Sequence, residues 1–223
     1  MNFANTASVE DFVNEAPERY DIPVFRDYYL FTVLLSARDN RGKNLYLSFY
    51  NINQNSKLLL TPWDIDHSFG RMYNSDEEAP QTECTWNASI YNRLKSDMPD
   101  YYPLLLSRYA ELRKNYFSLA SLRQRFTDYF DLFFTSGAYE RETERWNGID
   151  NIDLDFIYEE EYIDTWLEQR LAYTDALFNY KNISTEMENN IRSTNSQLIL
   201  RNGQIYILRN NTIYSLSGQI VSK

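Results

Sequence analysis

Apolar positions come in three patterns along this chain: continuous runs in the first third, helical stripes in the middle, and short runs broken by turn residues at the end. The run Tyr28-Tyr29-Leu30-Phe31-Thr32-Val33-Leu34-Leu35 is apolar nearly all round. It predicts a helix over about 24–37, entered after Pro23 and buried at a domain centre. Ahead of it, Ser8-Val9-Glu10-Asp11 followed by Phe12 and Val13 reads as a short helix with Ser8 as N-cap. Leu45-Tyr46-Leu47-Ser48-Phe49-Tyr50 predicts a strand, the polar stretch 51–57 a hairpin loop, and Leu58-Leu59-Leu60 the returning strand. Stripes at Leu105, Tyr109, Leu112 and Tyr116, and at Leu122, Phe126, Tyr129, Phe130 and Phe133, predict two core-packed helices. A last helix over about 154–180 is expected to turn Ile163, Trp166, Leu167, Leu171, Leu177 and Phe178 inward, with the acids of 150–155 capping its start.

Polar residues dominate 181–195, which reads as a linker. Beyond it, Asn202-Gly203 and Asn210-Asn211 separate three apolar runs, the pattern of a three-strand meander. The fold class expected is therefore α+β and mostly helical, with one β-hairpin inside the helical part. The expected organisation is a domain over 1–180, the linker, and a small β tail over 196–223.

Composition narrows the function classes. A hydrophobic content of 43% with 19 tyrosines and 13 phenylalanines is that of a folded domain. A formal charge of -10 repels polyanions, which argues against nonspecific nucleic-acid binding. Cys84 is the one cysteine, so an internal disulfide or a cysteine-built zinc site is excluded. No apolar run approaches the roughly 20 residues of a membrane span.

Candidate chemistry centres on Thr61-Pro62-Trp63-Asp64-Ile65-Asp66-His67-Ser68-Phe69-Gly70. In an extended segment, Asp64 and Asp66 would lie on one side of the backbone, where they would hold a cation against a phosphate. Taken alone, the pair fits a solvated turn equally well. Position decides between the two. The loop carrying Asp39 and Asn44 precedes the first strand and the acids follow the second, so an antiparallel hairpin brings both to one end. The Asp39-to-Asn44 spacing is that of a kinase catalytic loop, and the acids stand where kinases carry their magnesium aspartate before Phe-Gly. His67 reads as a structural side chain outside the catalytic set, and Asp76-Glu77-Glu78 as part of a solvated acidic loop.

With Asp39, Asn44, Pro62-Trp63-Asp64-Ile65-Asp66, Phe69-Gly70, Arg108-Tyr109-Ala110-Glu111-Leu112-Arg113 and Arg145-Trp146 in view, residues 5 to 180 resemble the CotH family, the spore-coat-protein-H-like atypical kinases. The resemblance implies a kinase-like fold, use of ATP with Mg2+, and phosphorylation of protein Ser/Thr. It assigns Asp39 the catalytic-loop role, Asn44 a metal-side amide, and Asp64 and Asp66 the metal-binding acids. Residues 1–38 hold neither glycine nor lysine. The chain is therefore expected to be the C-terminal lobe portion, with the nucleotide-covering N-terminal lobe encoded upstream. The tail, through Arg201-Asn202-Gly203-Gln204-Ile205-Tyr206-Ile207 and Gly218-Gln219-Ile220-Val221, resembles sorting segments of Bacteroidetes proteins, which implies a secreted or surface location. The expected partner is a protein substrate or a surface partner. The alternative function is a non-catalytic adhesion or assembly module on a kinase-like scaffold.

Limited proteolysis checks the linker: cleavage is expected between Lys181 and Asn195, leaving a stable helical core. Resistance throughout that stretch contradicts a separate tail.

Overall fold

The computed structural model describes residues 2–54, 56–72, 77–84, 88–147, 156–181, 196–201, 204–209, 212–214 and 220–222. The linker at 182–195, the acids of 150–155 and the two tail turns lie outside the described residues. Two compact units are present, 1–180 and 181–223. The first contains α1 (Asn2–Thr6), α2 (Val9–Arg19), α3 (Ile22–Leu35), β1 (Leu45–Phe49), β2 (Leu58–Pro62), α4 (Ser89–Asp97), α5 (Tyr101–Lys114), α6 (Leu119–Thr135), α7 (Ala138–Trp146) and α8 (Phe156–Leu177). The class is α+β and mostly helical.

Local chemistry sets the boundaries. The Ser8 side chain accepts the Asp11 N–H and starts α2. Asp21 accepts the Val24 N–H, so α3 begins two residues earlier than its apolar run indicates, and it ends where Ser36 turns left-handed at φ 56. Phe25, Tyr28, Leu30, Thr32, Val33, Leu34 and Leu35 are buried, so α3 is the central helix. Phe12 of α2, Ile90 and Leu94 of α4, and Leu105, Tyr109 and Leu112 of α5 share its main core. Each such side chain contributes about 1.5–3 kcal/mol relative to exposure.

Polar side chains then fix the helices relative to one another. Arg108 of α5 forks onto Asp27 of α3, with Nε 3.0 Å from Oδ1 and Nη2 2.8 Å from Oδ2. Arg113 does the same to Asp175 of α8 at 2.6 and 2.9 Å. The Tyr109 hydroxyl lies 2.8 Å from both Thr174 Oγ1 and Asp175 Oδ1. Arg108, Tyr109 and Arg113 are thus braces between α5 and its neighbours.

The second helical stripe departs from expectation. No residue of α6 is buried, and Tyr129 is 71% exposed and Leu132 61%. Helix α6 packs on α7 and α8, and Leu119 and Leu122 near its start lie against the cluster of Leu34, Leu35, Ala37 and Leu171. Phe126 meets Phe69 edge-on at 5.2 Å; within the stripe Tyr129 faces outward, while Leu122, Phe126, Phe130 and Phe133 are half-buried. Tyr116 is exposed because α5 stops at Lys114. At the end of α8, Leu177 is exposed and Phe178 packs inward against Tyr109 at 4.5 Å.

Strands β1 and β2 are antiparallel, pairing Leu45 with Pro62 and Phe49 with Leu58. The second unit holds β3 (Ser196–Arg201), β4 (Gln204–Arg209), β5 (Thr212–Tyr214) and β6 (Ile220–Ser222), antiparallel in chain order. A fourth strand joins the expected three because Ile220-Val221-Ser222 pairs with β5 through an irregular register. Among the described residues, no helix is long and apolar enough to cross a membrane.

Burial pushes the hydroxyls of Tyr28 and Tyr162 up to about 12. Their neutral forms are favoured in the folded state, so the stability they contribute is complete below the unfolded value of about 10 and is lost as pH rises through about 12. Urea unfolding is expected to show stability falling across that window, with a shallower fall in Tyr28→Phe. A flat profile in the wild type contradicts this.

Candidate functional site

Beyond α3, Asp39–Arg41 form a single tight turn. The Asp39 carbonyl accepts the N–H groups of Gly42 at 3.3 Å, Lys43 at 3.0 Å and Asn44 at 3.1 Å, so the loop is wound around one oxygen. Asn40 is fully buried within it. Its carbonyl accepts the Tyr28 hydroxyl at 2.6 Å, which ties the turn to α3. Its Nδ2 donates to the carbonyls of Asn44 and Trp63, both at 2.7 Å. The Trp63 N–H donates to Asn44 O at 3.1 Å. The start of β1 and the end of β2 are therefore joined through one buried carboxamide. Behind them Arg41, also buried, donates from Nε to Thr32 Oγ1 at 3.0 Å and from Nη1 to Cys84 O at 2.8 Å.

Four acids and amides meet at this end of the hairpin. Asn44 Nδ2 lies 3.2 Å from Asp64 O and 3.4 Å from Asp64 Oδ2. Lys43 Nζ pairs with Asp39 Oδ2 at 2.6 Å. His67 stands between two acids, with Nδ1 3.7 Å from Asp39 Oδ2 and Nε2 3.6 Å from Asp66 Oδ2. Asp39 and Asp66 are thus linked through His67, and Asn44 is linked directly to Asp64. The route differs from the extended geometry expected for the two acids. Strand β2 ends at Pro62, and Asp64 adopts a left-handed backbone at φ 53, so strand alternation does not orient the pair. A left-handed residue costs about 1–2 kcal/mol outside glycine, and aspartate is among the residues that tolerate it.

Among the described residues, no group of three or more His, Cys, Asp or Glu side chains is placed to hold a metal ion. The donor set is nevertheless suited to Mg2+, which takes hard oxygens, keeps several waters, and is held by one or two carboxylates together with substrate phosphates. Asp64 and Asp66 would supply the carboxylates and Asn44 the amide beside them.

Phe69-Gly70 is a packing device beneath the acids. Phe69, at φ 53, donates its N–H to Leu35 O at 2.8 Å and sets its ring edge-on to Trp166 at 5.7 Å. The Tyr162 hydroxyl donates to Phe69 O at 3.0 Å. Gly70 has φ 78, and a Cβ there would lie 2.5 Å from both Glu78 O and Trp166 Nε1. Only glycine fits. Glu77 is exposed as expected, pairing with Arg71 at 2.5 Å, whereas Glu78 is half-buried, pairs with Arg38 and accepts the Ser36 hydroxyl at 3.0 Å.

Sequence reasoning assigned no site role to Asn40, Lys43 or His67. The four-residue spacing from Asp39 to Lys43 is the usual spacing of an ion pair on a turn of helix and was a readable signal. For Asn40 the pattern offers none, because its role depends on a carbonyl 23 residues away.

Replacing Asn40 by alanine leaves the Trp63 carbonyl without its side-chain donor and the Asn44 carbonyl with the Trp63 N–H alone, which predicts a loss of about 1–3 kcal/mol of folding stability by urea unfolding. A loss below about 0.5 kcal/mol contradicts the joint described above.

No curated protein matches the chain. Residues 1–174 match the family described as CotH kinase protein, which covers most of the first unit and all of the residues at the hairpin end. On that match, the chain belongs to the CotH kinase family.

Proposed function

We propose that this chain carries the acceptor-orienting and metal-binding half of an ATP-dependent kinase that phosphorylates serine or threonine in proteins. One observation carries the reading: the Asp39–Asn44 turn and the Asp64–Asp66 segment are joined by Asn40 and Asn44 at a single end of the hairpin. Phosphoryl transfer needs little covalent help from the protein; it needs placed charges and a group to orient the nucleophile. Asp39, held by Lys43 and next to His67, orients the acceptor hydroxyl and takes its proton as the oxygen–phosphorus bond forms and ADP departs. Asp64 and Asp66 present carboxylate oxygens, and Asn44 holds the first of them in place. Bound Mg2+ would neutralise charge on the phosphate oxygens. Residues 1–38 contain no glycine or lysine, so the reading assigns no glycine-rich loop or phosphate-binding lysine ahead of Asp39. It also keeps 1–180 as the kinase-like lobe and 196–223 as an accessory tail suited to export.

The second reading is a partner-binding scaffold. It is favoured by exposed apolar side chains on the hairpin, Tyr46, Leu47, Phe49 and Trp63, together with the open face of α6.

Calorimetry with ATP and Mg2+ on the full gene product separates the two. The kinase reading predicts saturable binding that weakens at least about tenfold in Asp64→Ala and in Asp66→Ala while the melting temperature is kept. Unchanged binding in both variants contradicts the site. Absence of binding in the wild type favours the scaffold.

A further inference from the structure

The chain that leaves the two acids is tightly wound. The Ser68 N–H donates to Asp66 O at 2.9 Å, the Ser68 hydroxyl donates to Ile65 O at 2.7 Å, and the Arg71 N–H donates back to Ser68 O at 3.0 Å. Ser68 itself is buried. The backbone of Asp66 is therefore tied, through one buried serine, to the residue that comes next, Phe69.

Phe69 stands in an unusual conformation. Its φ of 53 is left-handed, as is the φ of 78 at Gly70; the glycine takes it freely, whereas a phenylalanine does so at a cost of about 1–2 kcal/mol. Both polar groups of the Phe69 backbone are held. Its N–H donates to Leu35 O at the end of α3, at 2.8 Å, and its carbonyl accepts the Tyr162 hydroxyl from α8 at 3.0 Å. Tyr162 is clamped in turn. The Arg71 guanidinium lies 3.7 Å from the centre of its ring, and Arg71 Nε donates at 3.2 Å to Glu159, one turn earlier on α8. Trp166, one turn later, meets the Phe69 ring edge-on at 5.7 Å. Glu159, Tyr162 and Trp166 thus share the face of α8 that grips this segment. Burial pushes the Tyr162 hydroxyl up to about 12, so it remains a donor at neutral pH.

We propose that Tyr162 is a positioning residue for the metal-binding acids: its hydroxyl fixes the Phe69 carbonyl, and the Ser68 turn carries that placement to Asp66 at the hairpin end. Tyr162 touches neither nucleotide nor metal. It acts across 93 residues of sequence, which makes α8 a determinant of how tightly the acids take their ligand. The inference rests on the kinase reading for the identity of that ligand, ATP with Mg2+. A tyrosine that only braced the fold would alter stability and leave affinity alone.

Tyr162→Phe removes the hydroxyl and keeps the ring beneath Arg71. Tyr109→Phe is the control, because it removes a hydroxyl that bonds Thr174 and Asp175 of the same helix and has no bond to 64–71. In the intact, isotope-labelled protein without ligand, Tyr162→Phe should shift the amide signals of 65–70, and Tyr109→Phe should leave them in place. In calorimetry with ATP and Mg2+, Tyr162→Phe should weaken binding about three- to tenfold and Tyr109→Phe should not, with cooperative melting kept in both. Ser68→Ala cuts the same relay nearer the acids. It should also weaken binding, and combined with Tyr162→Phe the two losses should not add. Unmoved amide signals or unchanged affinity in Tyr162→Phe, or equal weakening in Tyr109→Phe, overturns the proposal and leaves the kinase reading standing. Absence of binding to the wild type overturns both.

Discussion

The buried carboxamide of Asn40 is the constraint on which the hairpin end depends. A two-stranded hairpin alone is marginal in water. Here it gains a fixed base because one side chain donates to Asn44 O on the way in and Trp63 O on the way out. The carbonyl of the same residue is held by Tyr28 from the central helix. Rigidity thus passes from the core of α3 to the turn, from the turn to both strands, and from the strands to Asp39, Asn44, Asp64 and Asp66. Asp64 occupies a left-handed conformation at the point where that support ends.

Two buried arginines do comparable service for the irregular segment 77–84. Such a segment has carbonyls that no helix or sheet satisfies, and an arginine brings five donors in a fixed fork. Arg170 donates to Pro80 O at 2.6 Å and Thr82 O at 2.7 Å while also reaching Val33 O, and Arg41 takes Cys84 O. Burial lowers the pKa of Arg170, the cost of holding a charge against carbonyls with no carboxylate paired to it among the described residues. The result is a segment pressed against α3 and α8. Glu78 therefore meets Gly70 at hydrogen-bond distance, and the chain after the acids follows one path.

Much of this was legible in the sequence where local rules govern. The all-apolar run of α3, the Ser8 cap, the hairpin and the meeting of the Asp39 loop with the acidic motif follow from periodicity, capping chemistry and antiparallel pairing. The misses share one cause, dependence on distant neighbours. The α6 stripe has core periodicity, yet how fully it is covered is decided by how many elements pack on it, and its residues end half-buried with Tyr129 exposed. Glu78 reads as solvated until Arg38 and Ser36 are brought beside it. The left-handed turn at Asp64 ends the strand before the acids, and nothing in the alternating pattern announces it.

The central claim is that the Asp39–Asn44 turn and the Asp64–His67 segment form one metal-and-phosphate site. The most direct measurement is paramagnetic broadening of backbone amide signals in the isotope-labelled protein on addition of ATP with Mn2+ in place of Mg2+. The account predicts that amides of both segments broaden together, while those around Gly137, between α6 and α7, stay sharp. Broadening confined to one segment, or to neither, would contradict it.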